Sequence, residues 1–521
     1  MGNPHHERIV VRARKVRHLS LVVVAALTFG SFALSEAPRT ATAGSSSEKS
    51  GGKAVAHYAG GRVIRGNDRG PVSQMFRLKD VNGVPINAGE PTLGVTNEDN
   101  VFYTAIQSNT RVEILRGQDD GEKWEVVSPK FPNGRNAQLL SFDPYIWVDD
   151  AEGVDRIFTI DLTVACAYLS FSDDEGESWI TNPLSCGRPV NDHQTLFSGP
   201  SAISPTTVFP HIVYYCWNDI GSSSCSKSID GGISFVPTGS PAFGGVDPNA
   251  EDPSLDPDVP PTVGSNCGGL HGHGHVGPDG TVYLPKGHCG QPWLAMSRDE
   301  GATWERIQVA NNGIAFHEAN VATDAKGNIY YVYHSKDRLP YLVTSRDEGK
   351  TWSKPVMVGA PGVNEINLPS IDVGGVGKVA ITYMGTTNSP GMPFPRSPGS
   401  STNPDCAVAQ LPCPMPEEYA RTTWSGYTTV SSNVFAKAPL FYSVTVNDSR
   451  DPMKRGTCNE GRLGRCGNQI LDFIDVVIAP DGEVWTAWVD ACILACAVPQ
   501  GEQDQGSDAV VGHLVGGPPL R

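Results

Sequence analysis

Eleven acidic and imidazole residues stand just ahead of, or at the start of, apolar β-type runs: Glu90, Asp143, Asp192, His193, His271, His273, His317, Glu318, Glu365, Asp472 and Asp475. Paired carboxylates of this kind break glycosidic bonds, one as acid and the other as base or nucleophile. Glu90, Asp143, Glu318, Glu365 and Asp475 are the candidates for that work; His193, His271, His273, His317 and Arg77 are the candidate binding residues. The run HGHGH (271 to 275) offers a second chemistry, because alternate residues of a strand share a face and glycine spacers allow close approach. His271 and His273, with His317 or Glu318, would give zinc or another transition metal ligands of the right type. A divalent cation is compatible with the sequence, and no cofactor is required by it. The opposing reading makes these groups solvated linings that hydrogen-bond to backbone and water. DPNAEDPSLDPD (247 to 258) lacks the DxDxDG order of a calcium loop and reads as a hydrated acidic loop.

The elements that position these residues are announced by a recurring octet. SRDEGATW (297 to 304) and SRDEGKTW (345 to 352) generalise to S-x-D-x-G-x-[ST]-W, which SDDEGESW (172 to 179) fits fully. SIDGGISF (228 to 235) has Phe235 in place of Trp, and GQDDGEKW (117 to 124) keeps Asp119, Gly121 and Trp124. The aspartates at 119, 174, 230, 299 and 347 are 55, 56, 69 and 48 residues apart. Ser and Asp side chains hold a tight turn, Gly accepts a positive φ, and the aromatic opens the outgoing strand. Five equivalent aspartates cannot converge on one site, so the octet reads as a hairpin clasp.

Seven strand-turn-strand segments go with the clasps, at 90–106, 143–162, 202–217, 275–288, 319–334, 369–385 and 476–489. Their alternating β-branched and aromatic residues bounded by Asp and Gly are hairpin signals. Seven units of four short antiparallel strands predict an all-β fold, a β-propeller of seven blades, with six as the alternative because the last two units lack a clear clasp. Residues at 76–521 form this single domain, with Pro-rich insertions at 239–266 and 385–418 and a flexible lead-in at 44–75. Trp147, Trp217, Trp293 and Trp424 suit sugar stacking, but most read as core.

The clasp resembles the Asp-box, or BNR repeat, of sialidases and their relatives, sortilin-type receptors and xyloglucan-degrading hydrolases among them; the resemblance runs from about Gly89 to Val515. It implies a propeller with its site on the axis. A sialidase also carries an Arg-Ile-Pro motif, three carboxylate-gripping arginines, a Tyr nucleophile with a Glu partner, and an Asp acid/base. With Pro91 as the motif proline, Gly89 and Glu90 stand where Arg and Ile belong, and Arg77 is a second candidate for the arginine. Arg298 and Arg346 lie inside clasps; an authentic sialidase would need Arg77, Arg188, Arg338 or Arg421 to meet at the axis.

The first 43 residues read as a secretory signal: a basic start, the apolar run Leu19 to Leu34, and ATA at Ala41 to Ala43. Its removal leaves 34 Lys+Arg against 54 Asp+Glu, a net charge of −20, which disfavours nucleic acid and anionic membrane as partners. Twelve cysteines fit an oxidising, extracellular setting and fall into close pairs: Cys166/Cys186, Cys216/Cys225, Cys267/Cys289, Cys406/Cys413, Cys458/Cys466 and Cys492/Cys496. Asn447-Asp448-Ser449 is a glycosylation sequon. The expectation is a secreted monomer acting as a glycoside hydrolase on an extracellular glycan or polymer; the alternative is a non-catalytic propeller that binds a glycan or protein through its loop face.

Overall fold

The computed structural model describes residues 54–59, 61–64, 70–80, 82–107, 112–130, 141–153, 155–163, 166–186, 191–218, 222–244, 270–288, 290–391, 421–456, 458, 470–492 and 507–521. The expected signal, the acidic loop at 247–258, Arg188, most of both Pro-rich insertions and Cys267, Cys289, Cys406, Cys413, Cys466 and Cys496 lie outside them.

The described strands form seven antiparallel sheets, each built on four strands. Blade 1 runs Thr92–Val95, Val101–Thr104, Leu115–Gln118, Lys123–Val126, and blade 2 runs Tyr145–Asp149, Arg156–Leu162, Cys166–Ser172, Ile180–Cys186. Blade 3 is Asp192–Gly199, Ile212–Asn218, Ser222–Ser228, Val236–Pro237, and blade 4 is His275–Val276, Val282–His288, Gln291–Ser297, Glu305–Gln308. Blade 5 is Ile314–Thr323, Ile329–Ser335, Pro340–Ser345, Val356–Met357, and blade 6 is Glu365–Val373, Val379–Thr386, Thr423–Ser431, Leu440–Thr445. Blade 7 joins Asp475–Ile478, Val484–Asp490 and Asp508–Val515 to Val72–Arg77 from the other end of the chain. Each first strand touches the first strand of the next blade, and that of blade 7 touches that of blade 1, so the ring is closed.

Two readings of the sequence need correction. The segment at 202–209 is not a strand: the first strand of blade 3 lies upstream, and Pro205 and Pro210, which lack an N–H, fall in the turn between. The lead-in is too long as read, since Val55–Tyr58 and Arg62–Ile64 form a hairpin on the outer strand of blade 6.

Apolar side chains fill the spaces between blades, with Trp217, Trp424 and Trp488 among the largest fully buried groups. Trp293 is also buried, while half-buried Trp147 donates its indole N–H to Ser198. Four clasps share one geometry. In blade 4, Asp299 accepts from Ser297 Oγ (2.8 Å), Thr303 N–H (2.8 Å) and Thr303 Oγ1 (2.6 Å), while Gly301 N–H donates to Ser297 Oγ (2.7 Å). Asp174, Asp230 and Asp347 repeat this set. Gly301 sits at φ 83° as expected, and Glu300 before it at φ 55°. Asp119 has no serine partner, and its turn closes through the backbone, Gly121 N–H to Gln118 C=O. Blade 6 has a reduced clasp in which Asn433 Oδ1 accepts from Ser431 and from Leu440 N–H.

All clasps close the third and fourth strands, so they share one end of the ring; the starts of the first strands define the other. The disulfides Cys166–Cys186 and Cys216–Cys225 join directly paired residues at that opposite end. Cys458 and Cys492 are also disulfide-bonded.

Candidate functional site

Among the described residues the axial edge of each first strand has no neighbouring strand to pair with, and an unpaired buried N–H is costly. A polar side chain meets an edge N–H at six junctions and an edge C=O at the seventh. Leu93 N–H donates to Asp475 Oδ2 (3.2 Å), Ile146 N–H to Thr92 Oγ1 (2.9 Å), Gln194 N–H to Asp143 Oδ2 (3.1 Å) and Gly274 N–H to Thr195 Oγ1 (3.4 Å). His273 N–H donates to Asn320 Oδ1 (3.2 Å), Asn320 Nδ2 to Pro369 C=O (2.7 Å), and Ile478 N–H to Asp372 Oδ2 (2.7 Å). Several acids at the axis are therefore edge acceptors first.

Three of the first strands are irregular near their starts, with register shifts between Asp192 and Thr195, Ile314 and Ala319, and Asn367 and Ser370. His193 takes φ 52° and Leu368 φ 54°; Glu90 and Leu471, which lead into blades 1 and 7, take 50° and 67°. A side chain in that region costs roughly 1 kcal/mol or more. Bulges re-aim side chains. Here the shift in blade 3 brings His193 Nε2 to 3.1 Å from Glu318 Oε1, carried by the shifted stretch of blade 5.

Around this pair lies a buried cluster. Phe473 is met edge-on by His193 (centroids 5.4 Å), His273 (5.1 Å) and Tyr145 (6.4 Å), and His271 lies 6.1 Å from His193. His273 Nδ1 is 4.0 Å from Asp475 Oδ1. Asp143 and Asp472 lie close enough to stabilise the charge on His193.

The cluster sorts its groups by charge. Burial would lower the affinity of His193 for its proton, but the Glu318 carboxylate, with Asp472 and Asp143, raises its pKa to about 9. Burial pushes Asp143 up to about 7, with His193 opposing and Asp192 and Asp472 adding to the rise. Asp475 also reaches about 7 through burial, against the N–H groups of Leu93 and Val476. Burial and the His193 charge lower His271 well below the ordinary value and take His273 to about 3. Near neutral pH the cluster thus holds a charged His193 beside Glu318, neutral His271 and His273, and two aspartates, Asp143 and Asp475, whose midpoints fall close to that pH.

Hydrogen bonds narrow the roles further. Both oxygens of Asp475 are engaged, Oδ2 by Leu93 N–H and Oδ1 by Val476 N–H (2.8 Å). Asp143 Oδ1, by contrast, has no hydrogen-bond partner among the described residues. His271 Nδ1 lies 2.9 Å from the Gly272 carbonyl, which only accepts, so the proton is on Nδ1. Nε2 of His271 and of His273 lack hydrogen-bond partners among the described residues. The HGHGH spacers work as expected: a Cβ on Gly272 would lie 1.7 Å from Ala319 O, and one on Gly274 2.1 Å from the Phe197 ring.

Not every candidate reaches the cluster. Glu90 Oε1 accepts from Asp472 N–H (3.3 Å) at the junction of blades 7 and 1. Glu365 pairs with Arg338 (3.1 Å) and accepts from Ser389 Oγ. Arg77 pairs with Asp490 (2.5 Å), with Asp451 and Asp508 beyond, and ties blade 7 together. Arg298 and Arg346 stay at the clasp end, the first on Glu305 and the second over the Phe435 ring. The His317 side chain lies outside the described residues. Among the described residues no group of three or more His, Cys, Asp or Glu is placed to hold a metal ion, and Phe473 stands between His193 and His273. The sequon Asn447 is buried, and its amide bonds Gly426 N–H, Asp448 C=O and Asp451 C=O.

Tyr145, Gln194, Asn320 and Phe473 were not singled out from the sequence. Position alone offered a signal: Gln194 follows His193, and Phe473 lies between Asp472 and Asp475.

The fold and site define a class, a seven-bladed propeller with clasped hairpins at one end and an acidic–imidazole cluster on the axis at the other. No known family profile and no curated protein matches the chain. Solved structures similar to it include a protein of unknown function from Dyadobacter fermentans DSM 18053, 13% identical over 84% of this chain and 97% of that one, TM-score 0.38. Others are the NanB sialidase from Streptococcus pneumoniae (12% identity, 86% and 70% covered, TM-score 0.37) and the Aleuria aurantia lectin with Fucα1-6GlcNAc (10%, 58% and 93%, TM-score 0.38). Likeness at that distance assigns no activity, and the blade count rests on the chain's own strand pairing.

Proposed function

We propose that this chain is an exported, carbohydrate-active propeller that hydrolyses a glycosidic bond of an extracellular glycan at the axial cluster, and that it works as a monomer. One observation carries the reading: Glu318, paired with His193 at 3.1 Å, shares a buried cluster with Asp143, whose pKa burial raises to about 7. Environments that push two titratable groups apart define acid and base roles. Asp143 delivers its proton to the leaving oxygen as the glycosidic C–O bond breaks. Glu318 either takes a proton from the attacking water or attacks the anomeric carbon itself. The bare Nε2 of His271 suits a hydroxyl donor, and Phe473 and Tyr145 hold the imidazoles edge-on. With both oxygens bound, Asp475 is assigned to holding blade 1 on blade 7. The cross-strand disulfides support export. Arg77 and Arg338 are committed to carboxylates, which argues against a sialic acid substrate.

A panel of fluorogenic glycosides and polymeric glycans tests this. Turnover is expected, insensitive to chelator, and Glu318→Gln and Asp143→Asn each lower it by about 10²- to 10⁴-fold. Saturable glycan binding with no turnover would establish the non-catalytic alternative, which the edge-acceptor role of Asp143 favours.

A further inference from the structure

We infer that Gln194 and Tyr215 are positioning residues that fix which oxygen of Asp143 carries the acidic proton; the inference rests on the proposed hydrolytic role of Asp143. The bulge between Asp192 and Thr195 takes Gln194 out of register with the neighbouring strand Ile212–Asn218. Its N–H donates to Asp143 Oδ2 instead (3.1 Å). An oxygen that accepts an N–H bond along that line is the poorer seat for a proton, because two hydrogens would then compete for it. The proton is left to Oδ1, the oxygen without a partner among the described residues. A general acid needs its proton on the oxygen that meets the leaving group.

The Gln194 side chain secures the same geometry from the other side. Its Nε2 donates to the Asp143 main-chain carbonyl, and Tyr215 O–H donates to its Oε1 (3.0 Å). Tyr215 is fully buried and stacks on Trp217 (centroids 5.1 Å), so the hydroxyl has a rigid base. The chain Tyr215–Gln194–Asp143 runs from the core of blade 3 to the acid ahead of blade 2. One irregularity thus does two jobs: it turns His193 toward Glu318 and frees the N–H that orients Asp143.

The test measures kcat, KM and the pH profile of kcat/KM on the best glycoside for the wild type, Gln194→Met and Tyr215→Phe, with Asp143→Asn as reference. Thermal unfolding of each variant serves as the folding control. Gln194→Met is expected to lower kcat by at least about tenfold, with KM changed less than about twofold, because a small misplacement of a reacting group is costly. The limb of the profile set by the acid's proton moves with it, and Tyr215→Phe shifts the same limb by less. An unchanged kcat and profile in folded Gln194→Met, beside an inactive Asp143→Asn, would overturn the inference while leaving the hydrolytic reading intact. A wild type that turns over no glycoside would overturn both.

Discussion

The two ends of the ring use the same side chain in opposite ways. At the clasp end Asp174, Asp230, Asp299 and Asp347 each accept two or more hydrogen bonds in a turn open to water, and their pKa values fall, that of Asp347 to about 2. At the axis Asp143 and Asp475 are buried among other acids, and their pKa values rise to about 7. Hydrogen-bond donors stabilise the charged form, whereas loss of water penalises it. Burial outweighs the donors at the axis even for Asp475, whose two oxygens are both bound, so the raised pKa marks lost water, and of the two only Asp143 keeps an oxygen without a partner among the described residues.

Substitutions at the two ends should separate these roles. The largest effect is kinetic: Glu318→Gln is expected to cost about 10²- to 10⁴-fold in turnover, and Asp299→Ala no more than about twofold when assayed well below its unfolding temperature. Equal losses from both would break the comparison. Within the clasps, burial sets the scale of the loss. Glu300, the residue between Asp and Gly in the blade 4 clasp, is buried on Lys227 (2.7 Å) and the N–H groups of Ile203 and Ser204. Glu300→Ala should cost about 3–5 kcal/mol in urea unfolding, since it leaves a partly buried Lys227 without its partner. Glu348, at the same position of the blade 5 clasp, is exposed beside Lys350. Glu348→Ala should fall within about 0.5 kcal/mol of wild type.

Between these limits lies Asp299→Ala, which removes the acceptor of three hydrogen bonds and is expected to cost about 1–3 kcal/mol. The pH dependence of stability separates the ends by sign. Asp143, raised from 3.8 to about 7, contributes stability that is present at low pH and lost as pH climbs through that window. Asp347, lowered to about 2, contributes stability that is present above its ordinary value of 3.8 and lost as pH falls through 2. Asp143→Asn should therefore flatten the decline on the neutral side, and Asp347→Asn the decline on the acid side. Melting temperatures recorded from pH 2 to 8 would show both.

How much could be read in advance follows the same division. The clasps were legible because every bond in them spans at most four residues, as from Ser297 to Gly301. Blade number followed from their spacing and from seven hairpin patterns. The reduced clasp at Ser431 and Asn433 escaped notice because it lacks both the aspartate and the glycine. At the axis the residue types were legible but their roles were not. Asp143 meets Gln194 from 51 residues away and Asp475 meets Leu93 from 382, and no local pattern encodes such distances. The bulge that turns His193 to Glu318 has no glycine to announce it. Nor did composition show that Arg77 and Glu365 would each be taken up by neighbours of opposite charge.

The central claim is that the two ends move the pKa of an aspartate in opposite directions, up at the axis and down in the clasps. Carboxyl-resolved NMR titration of the full chain labelled with ¹³C-aspartate tests it most directly, with Asp143→Asn and Asp347→Asn assigning the two signals. The account predicts an Asp143 midpoint near 7 and an Asp347 midpoint near 2. An Asp143 signal that titrates at the ordinary value of about 4 would contradict it.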